Sequence, residues 1–226
     1  MENSREVRAC TPVPLDPHCF NPQVELPHGL EPEHVARAMR DLLDFFGHIN
    51  TTLYENDMQR FECIAMPANM SSIVGEFMHT RIPKYCESLT QNTYHNGHPD
   101  LIPAGRYPED AVQYGDYGIE VKASRYGSGW QGHNVEECWL MVVHYAANRP
   151  KDVRDESGAA PFPFQFRGIY IAELEEEDWS FSGRSGESRR TITASVLASG
   201  RDKMKENYVY DAERSAEEFK LDVADR

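Results

Sequence analysis

The chain has 226 residues, 40% of them hydrophobic and 11% aromatic, which suits one domain built around a real core and excludes a disordered chain. A formal net charge of −14 excludes a broadly basic surface and confines any polyanion contact to a local patch. With no leader-type apolar stretch, no run of about 18 apolar residues, and five scattered cysteines (Cys10, Cys19, Cys63, Cys86 and Cys138) lacking Cys-x-x-Cys spacing, the expectation is a cytoplasmic protein. It should have reduced thiols, no membrane partner and no structural zinc.

Residues 1–31 are proline-rich and aperiodic and read as an extended or irregular arm on a single domain spanning 1–226. Pro32 opens a helix whose apolar residues, from Val35 through Met39, Leu42 and Phe46 to Ile49, recur at helical spacing. A second helix is expected from an N-cap at Asn69 to about Tyr85. Residues 91–98 are polar and turn-like, and Asp100-Leu101-Ile102 begins a short strand. Residues 117–123 and 139–145 read as strands, the latter apolar enough to be buried on both faces. Further strands are expected at 168–174 and 190–196, with short helices near 199–205 and 212–220. Helices leading into a mixed sheet, then more strands and helices, make an α/β domain: a mixed central β-sheet flanked by helices.

Strand alternation places Glu120 and Lys122 on one face of the 117–123 strand, while Ile119, Val121 and Ala123 point into the core. If the strand at 100–102 pairs with it, Asp100 joins that face. Two carboxylates and the backbone carbonyl of Val121 are hard oxygen donors of the kind that hold Mg2+ while leaving water positions open. Such an ion activates water and neutralises charge on a phosphodiester. Lys122 would position or deprotonate the attacking water and counter developing negative charge. The alternative is a surface ion pair on an edge strand.

Pro99-Asp100, a gap of 19 residues, and Glu120-Val121-Lys122 resemble the PD-(D/E)xK pattern of the restriction-endonuclease-like nucleases, and within them the type II restriction endonucleases. The resemblance covers residues 98–145 well and the C-terminal part loosely. It implies a restriction-endonuclease-like core, with Asp100 and Glu120 as metal ligands and Lys122 as the catalytic lysine. It also implies a homodimer cutting double-stranded DNA at a short palindromic site, with Mg2+ and no nucleotide cofactor. Glu76, on the preceding helix, is a further metal candidate or else a solvent-facing residue. A repair or phage DNA-processing nuclease of the same fold is the alternative, and a non-enzymatic DNA- or protein-binding module is the second.

For DNA contact the chain offers two regions. The segment 184–205 holds six cations (Arg184, Arg189, Arg190, Arg201, Lys203 and Lys205) against two carboxylates, and arginines grip phosphate or pair with guanine. The acidic run 173–178 is simplest as a solvated loop or strand end. The glycine-rich stretch 127–134 follows the catalytic strand, so Gln131, His133 and Asn134 are DNA-contact candidates or parts of a plain turn. His95 and His98 flank Asp100 without zinc spacing, and Trp130 and Trp139 read as core residues.

Overall fold

Where the sequence suggests a loose arm, the chain begins with a helix, α1 (Glu2–Ala9), followed by a 3-10 turn at Pro17–Cys19. A computed structural model describes residues 2–132, 139–154, 160–181 and 194–214. Ala9, Cys10, Cys19 and Leu30 are buried, and the Val13 amide donates to the Phe164 carbonyl at 2.9 Å. The prolines hide any periodicity, but the apolar residues between them still dock on the body of the protein.

Helix α2 (Pro32–Glu55) starts as expected, with proline in the first turn and a capping box between Glu31 and His34. Its apolar stripe of Val35, Ala38, Met39, Leu42 and Phe46 is fully buried. After a short α3 (Phe61–Ile64), helix α4 (Pro67–Arg81) begins two residues before the expected cap at Asn69. Pro67 takes the first helical position, where a missing N–H costs nothing. The helix gives way to a 3-10 turn at Ile82–Lys84 rather than running to Tyr85.

The strands are β1 (Leu89–Gln91), β2 (Leu101–Pro103), β3 (Ile119–Ser124), β4 (Gln131–Gly132) and β5 (Trp139–Ala146). After α5 (Pro150–Arg154) come β6 (Gln165–Glu173), β7 (Trp179–Phe181), β8 (Ala194–Val196), α6 (Ala198–Glu206) and β9 (Tyr208–Asp211). Residues 208–211 are thus a strand and 212–213 a turn where a helix from 212 was expected; 190–193 and 215–220 lie outside the described residues. The central sheet is ordered β1-β2-β3-β5-β6-β9, and a smaller sheet is ordered β4-β8-β7. In the central sheet β3 and β5 run parallel and the other neighbours antiparallel. The fold is α/β, a mixed central sheet flanked by helices.

Alternation divides the core. Ile119, Val121, Met141, Val143, Ile169 and Ile171 face α2 and α4. Leu140, Val142, Tyr170 and Ala172 face the other way, toward Trp130 and Trp179 of the small-sheet region and Met204 of α6. Glu120 is in register with Leu140 and Lys122 with Val142, so the charged pair lies on this second face. Beside them β2 and β3 pair only at Leu101–Ile119, which leaves that edge of β3 open from Glu120 onward.

Candidate active site

Asp100 immediately precedes β2, and its carboxylate closes the open edge of β3: its Oδ2 accepts from the Val121 amide at 2.8 Å. The N–H and C=O of one strand residue leave the same edge, so the Val121 carbonyl also projects on the Asp100 side. Helix α4 packs closely there at Gly75, where a Cβ would sit 3.8 Å from that carbonyl oxygen. Glu76, the next residue, and His79, one turn on, reach the cleft, and the His79 Nε2 lies 3.1 Å from the Glu76 carboxylate. The Nδ1 of His79 is 3.7 Å from Asp100 Oδ1.

Glu120 is only 2% exposed, against the expectation of a pair facing outward. The protein answers the buried carboxylate on both oxygens: Lys122 Nζ contacts Oε1, and His98 Nδ1 lies 3.1 Å from Oε2. Burial works to raise the Glu120 carboxyl, but the His98 hydrogen bond and the Lys122 charge outweigh it and hold it below the usual carboxylate range. Burial works to lower His79, yet Asp100 above all, with Glu76 and Glu120, raises it.

His98 and Asp100 are fixed by the polar loop that leads to them. The Asn92 side chain donates to the carbonyls of Pro99 (3.1 Å) and Val112 (2.8 Å), and its amide donates to the Asp100 carbonyl at 2.9 Å. The His98 amide donates to Gln113 O, and its ring stacks near Tyr114 at 6.3 Å. Glu76, His79, Asp100, Glu120 and Lys122 share a cleft of about 940 Å3 with residues 91–98.

The structure therefore brings together Asp100, Glu120, Lys122, Val121 and Glu76. Sequence reasoning missed His79, although its spacing of three from Glu76 on a helix was a usable signal. It noted His98 only as a histidine without zinc spacing, and it missed Asn92, which has no sequence signature. The donor set of two carboxylates and a main-chain carbonyl fits magnesium, which keeps several waters and takes one or two carboxylates. Among the described residues no three His, Cys, Asp or Glu side chains group closely enough to hold an ion. Glu120 could reach an ion only by loosening Lys122 or His98.

The chain matches no family model, no curated protein and no solved structure.

The DNA-contact candidates fare unevenly. Arg184, Arg189, Arg190, His133 and Asn134 lie outside the described residues. Gln131 is exposed on β4, opposite Ser195 of β8. Lys203 on α6 is 2.7 Å from Asp178 and 3.6 Å from Glu175, so its charge answers the acidic run instead of standing apart from it. Asp178, expected to be solvated, is buried, because α6 folds back over it. Lys205 is partly buried on α6. Trp130 is buried as expected, and Trp139 packs against the larger core. No helix among the described residues is long and apolar enough to cross a membrane.

Proposed function

We propose that this chain is a magnesium-dependent endonuclease of the restriction-endonuclease-like fold that cleaves double-stranded DNA, as a homodimer, at a specific palindromic site. One observation carries the reading: Asp100 and the Glu120–Lys122 pair, 20 positions apart, meet at the open edge of β3 in one solvent-reachable cleft. Asp100, Glu120 and the Val121 carbonyl would hold magnesium, which supplies a water of lowered pKa and charge neutralisation at the phosphate. Lys122 places an ammonium where it can donate to the attacking oxygen or to a non-bridging phosphate oxygen. His98 orients Glu120 and keeps it ionised; the Val121 amide orients Asp100.

The complete pairing of Glu120 with His98 and Lys122 favours a second reading, a buried polar cluster without catalysis. A digest of genomic DNA with magnesium or manganese separates the two. Discrete bands support a restriction enzyme, and a smear supports a nuclease selective for structure. Intact DNA over a range of metal and protein concentrations overturns both nuclease forms. Sedimentation of the protein in solution tests the dimer, which a two-fold site requires.

A further inference from the structure

A second cleft, also about 940 Å3, lies at the other end of the α4–β3 seam. The candidate active site is lined by Glu76, His79 and Thr80 from the later part of α4 and by Glu120 and Lys122 of β3. The second is lined by Pro67, Ala68 and Ser71 from the start of α4 and by β3 from Ala123 onward. The two are therefore successive stretches of one seam. Lys122 and Tyr126 are four residues apart, at most ~14 Å of extended chain. Along a duplex axis that is no more than about four base-pair steps of ~3.4 Å each.

The composition of this second cleft is unusual for a protein of net charge −14. Three cations line it (Arg125, Arg149 and Lys151), and no carboxylate does so among the described residues. Asp152 grips Arg149 at 3.0 Å, but the Arg125 guanidinium meets the carbonyls of Ala147 and Asn148 and, among the described residues, no carboxylate. Lys151 is exposed. Beside these charges Ile64, Met66 and Tyr126 are 54%, 65% and 68% exposed. Tyr126 is held at its backbone, its amide donating to Ser124 Oγ and its carbonyl accepting from the Trp130 indole, while its ring stays open to solvent. The start of α4, where Met66 makes no side-chain cap, also lines this cleft and brings the positive end of the helix dipole to it.

Apolar walls beside anchored cations suit a polymer that alternates an apolar sugar face with an anionic phosphate. We infer that this cleft seats the sugar–phosphate backbone of the cleaved DNA strand, a few nucleotides to one side of the scissile phosphate. The inference rests on the nuclease reading above. It moves the main phosphate grip from α6, where Lys203 is already paired with Asp178, to α5 and the end of β3.

The test uses the full chain, a fluorescent random-sequence DNA duplex in calcium for binding, and genomic DNA in magnesium for cleavage. Lys151→Glu and Tyr126→Ala are compared with wild type and with Lys151→Arg, each checked for an unchanged melting temperature. Lys151→Glu should weaken binding at least about fivefold and flatten the salt dependence by about one unit of slope, whereas Lys151→Arg should restore both. Tyr126→Ala should weaken binding severalfold without changing the salt slope. If wild type binds and cuts DNA while Lys151→Glu and Tyr126→Ala bind as wild type does, the cleft is not the strand's seat and the nuclease reading stands. If wild type neither binds nor cuts, both fall.

Discussion

Glu120 shows why a small set of residues can be demanding to assemble. A carboxylate this buried persists as an anion because Lys122 and His98 face its two oxygens, and removing either leaves part of the charge uncompensated. Asp100→Ala and Glu120→Ala should therefore each abolish cleavage while DNA binding in calcium survives, as measured by cleavage kinetics beside a binding assay; near-normal cutting by either would remove the site. Lys122→Ala should lose catalysis yet keep metal binding, since its ammonium is no ligand. Calorimetry with manganese checks this, and a lost heat signal would make Lys122 a structural prop. His98→Ala should lower the cleavage rate about 10–100-fold, the usual cost of losing a group that orients a metal ligand. If His98→Ala cuts at the wild-type rate, Lys122 alone suffices to orient Glu120. That Glu120 and Lys122 share a face was legible in the sequence because strand alternation is strictly local, whereas Asp100 joins them only through the pairing of β2 with β3. His79 was signalled only by its spacing from Glu76, and the contacts of His98 and Asn92 not at all, because they depend on the 92–98 loop meeting an edge that the sequence could not show to be open.

At the level of elements, the candidate site is open because β2 and β3 part after one paired position. Gly118 makes that single pairing possible: its φ is +149°, and a Cβ there would stand 2.2 Å from the Leu101 carbonyl oxygen and 2.4 Å from the Pro99 ring. Both obstacles are parts of the segment that carries Asp100, so relief of the clash shifts that segment relative to β3 and disturbs the Asp100–Val121 contact. Gly118→Ala should cost at least about 1–3 kcal/mol of stability from the backbone alone. It should also lower activity more than a stability loss of that size explains. Thermal melts and single-turnover cleavage below the melting temperature test both; an active variant of wild-type stability would show that the strands can shift freely. The same contrast of local and distant cause explains which elements were readable. Strands β3 and β5 announce themselves by apolar runs and alternation, and α2 by its stripe and its proline. Strand β1 sits in a polar stretch and is a strand only because β2 pairs with it; β9 is recruited by β6, with the 3-10 turn and Phe20 of the supposed arm packed against it.

Taken whole, the molecule distributes its charges differently from their order in the sequence. The acidic run at 173–178 and the cations of α6 form blocks along the chain but meet in space through Lys203 and Asp178, so of the basic segment Lys203 is balanced by the acidic run. The converse holds around Arg60, which no motif distinguishes. It is 2% exposed and gathers four parts of the chain: Glu6 of α1 at 2.9 Å, Glu62 of α3, Asn148 after β5 at 2.8 Å, and the Phe162 carbonyl at 3.1 Å. Asn50 of α2 joins it by donating to Glu62 at 2.9 Å. With a guanidinium at its centre, the fully buried Glu62 has a countercharge and the N-terminal segment has an anchor. Arg60→Met keeps much of the bulk but removes the charge and all the donors, leaving Glu62 without its countercharge and with only Asn50, and the Asn148 oxygen with only the Phe162 amide, in the interior. Truncating one member of such a buried network typically costs about 3–5 kcal/mol, a large share of the stability of an ordinary domain. The expected result is a markedly lower denaturation midpoint and faster hydrogen exchange in α1, because Glu6 loses its partner too. Replacing Arg60 and Glu62 together by apolar residues should recover part of the loss, since the orphaned charge is then absent. If Arg60→Met melts like wild type and α1 stays protected, the N-terminal helix is held by its apolar contacts, and the polar network only fills the space beneath it.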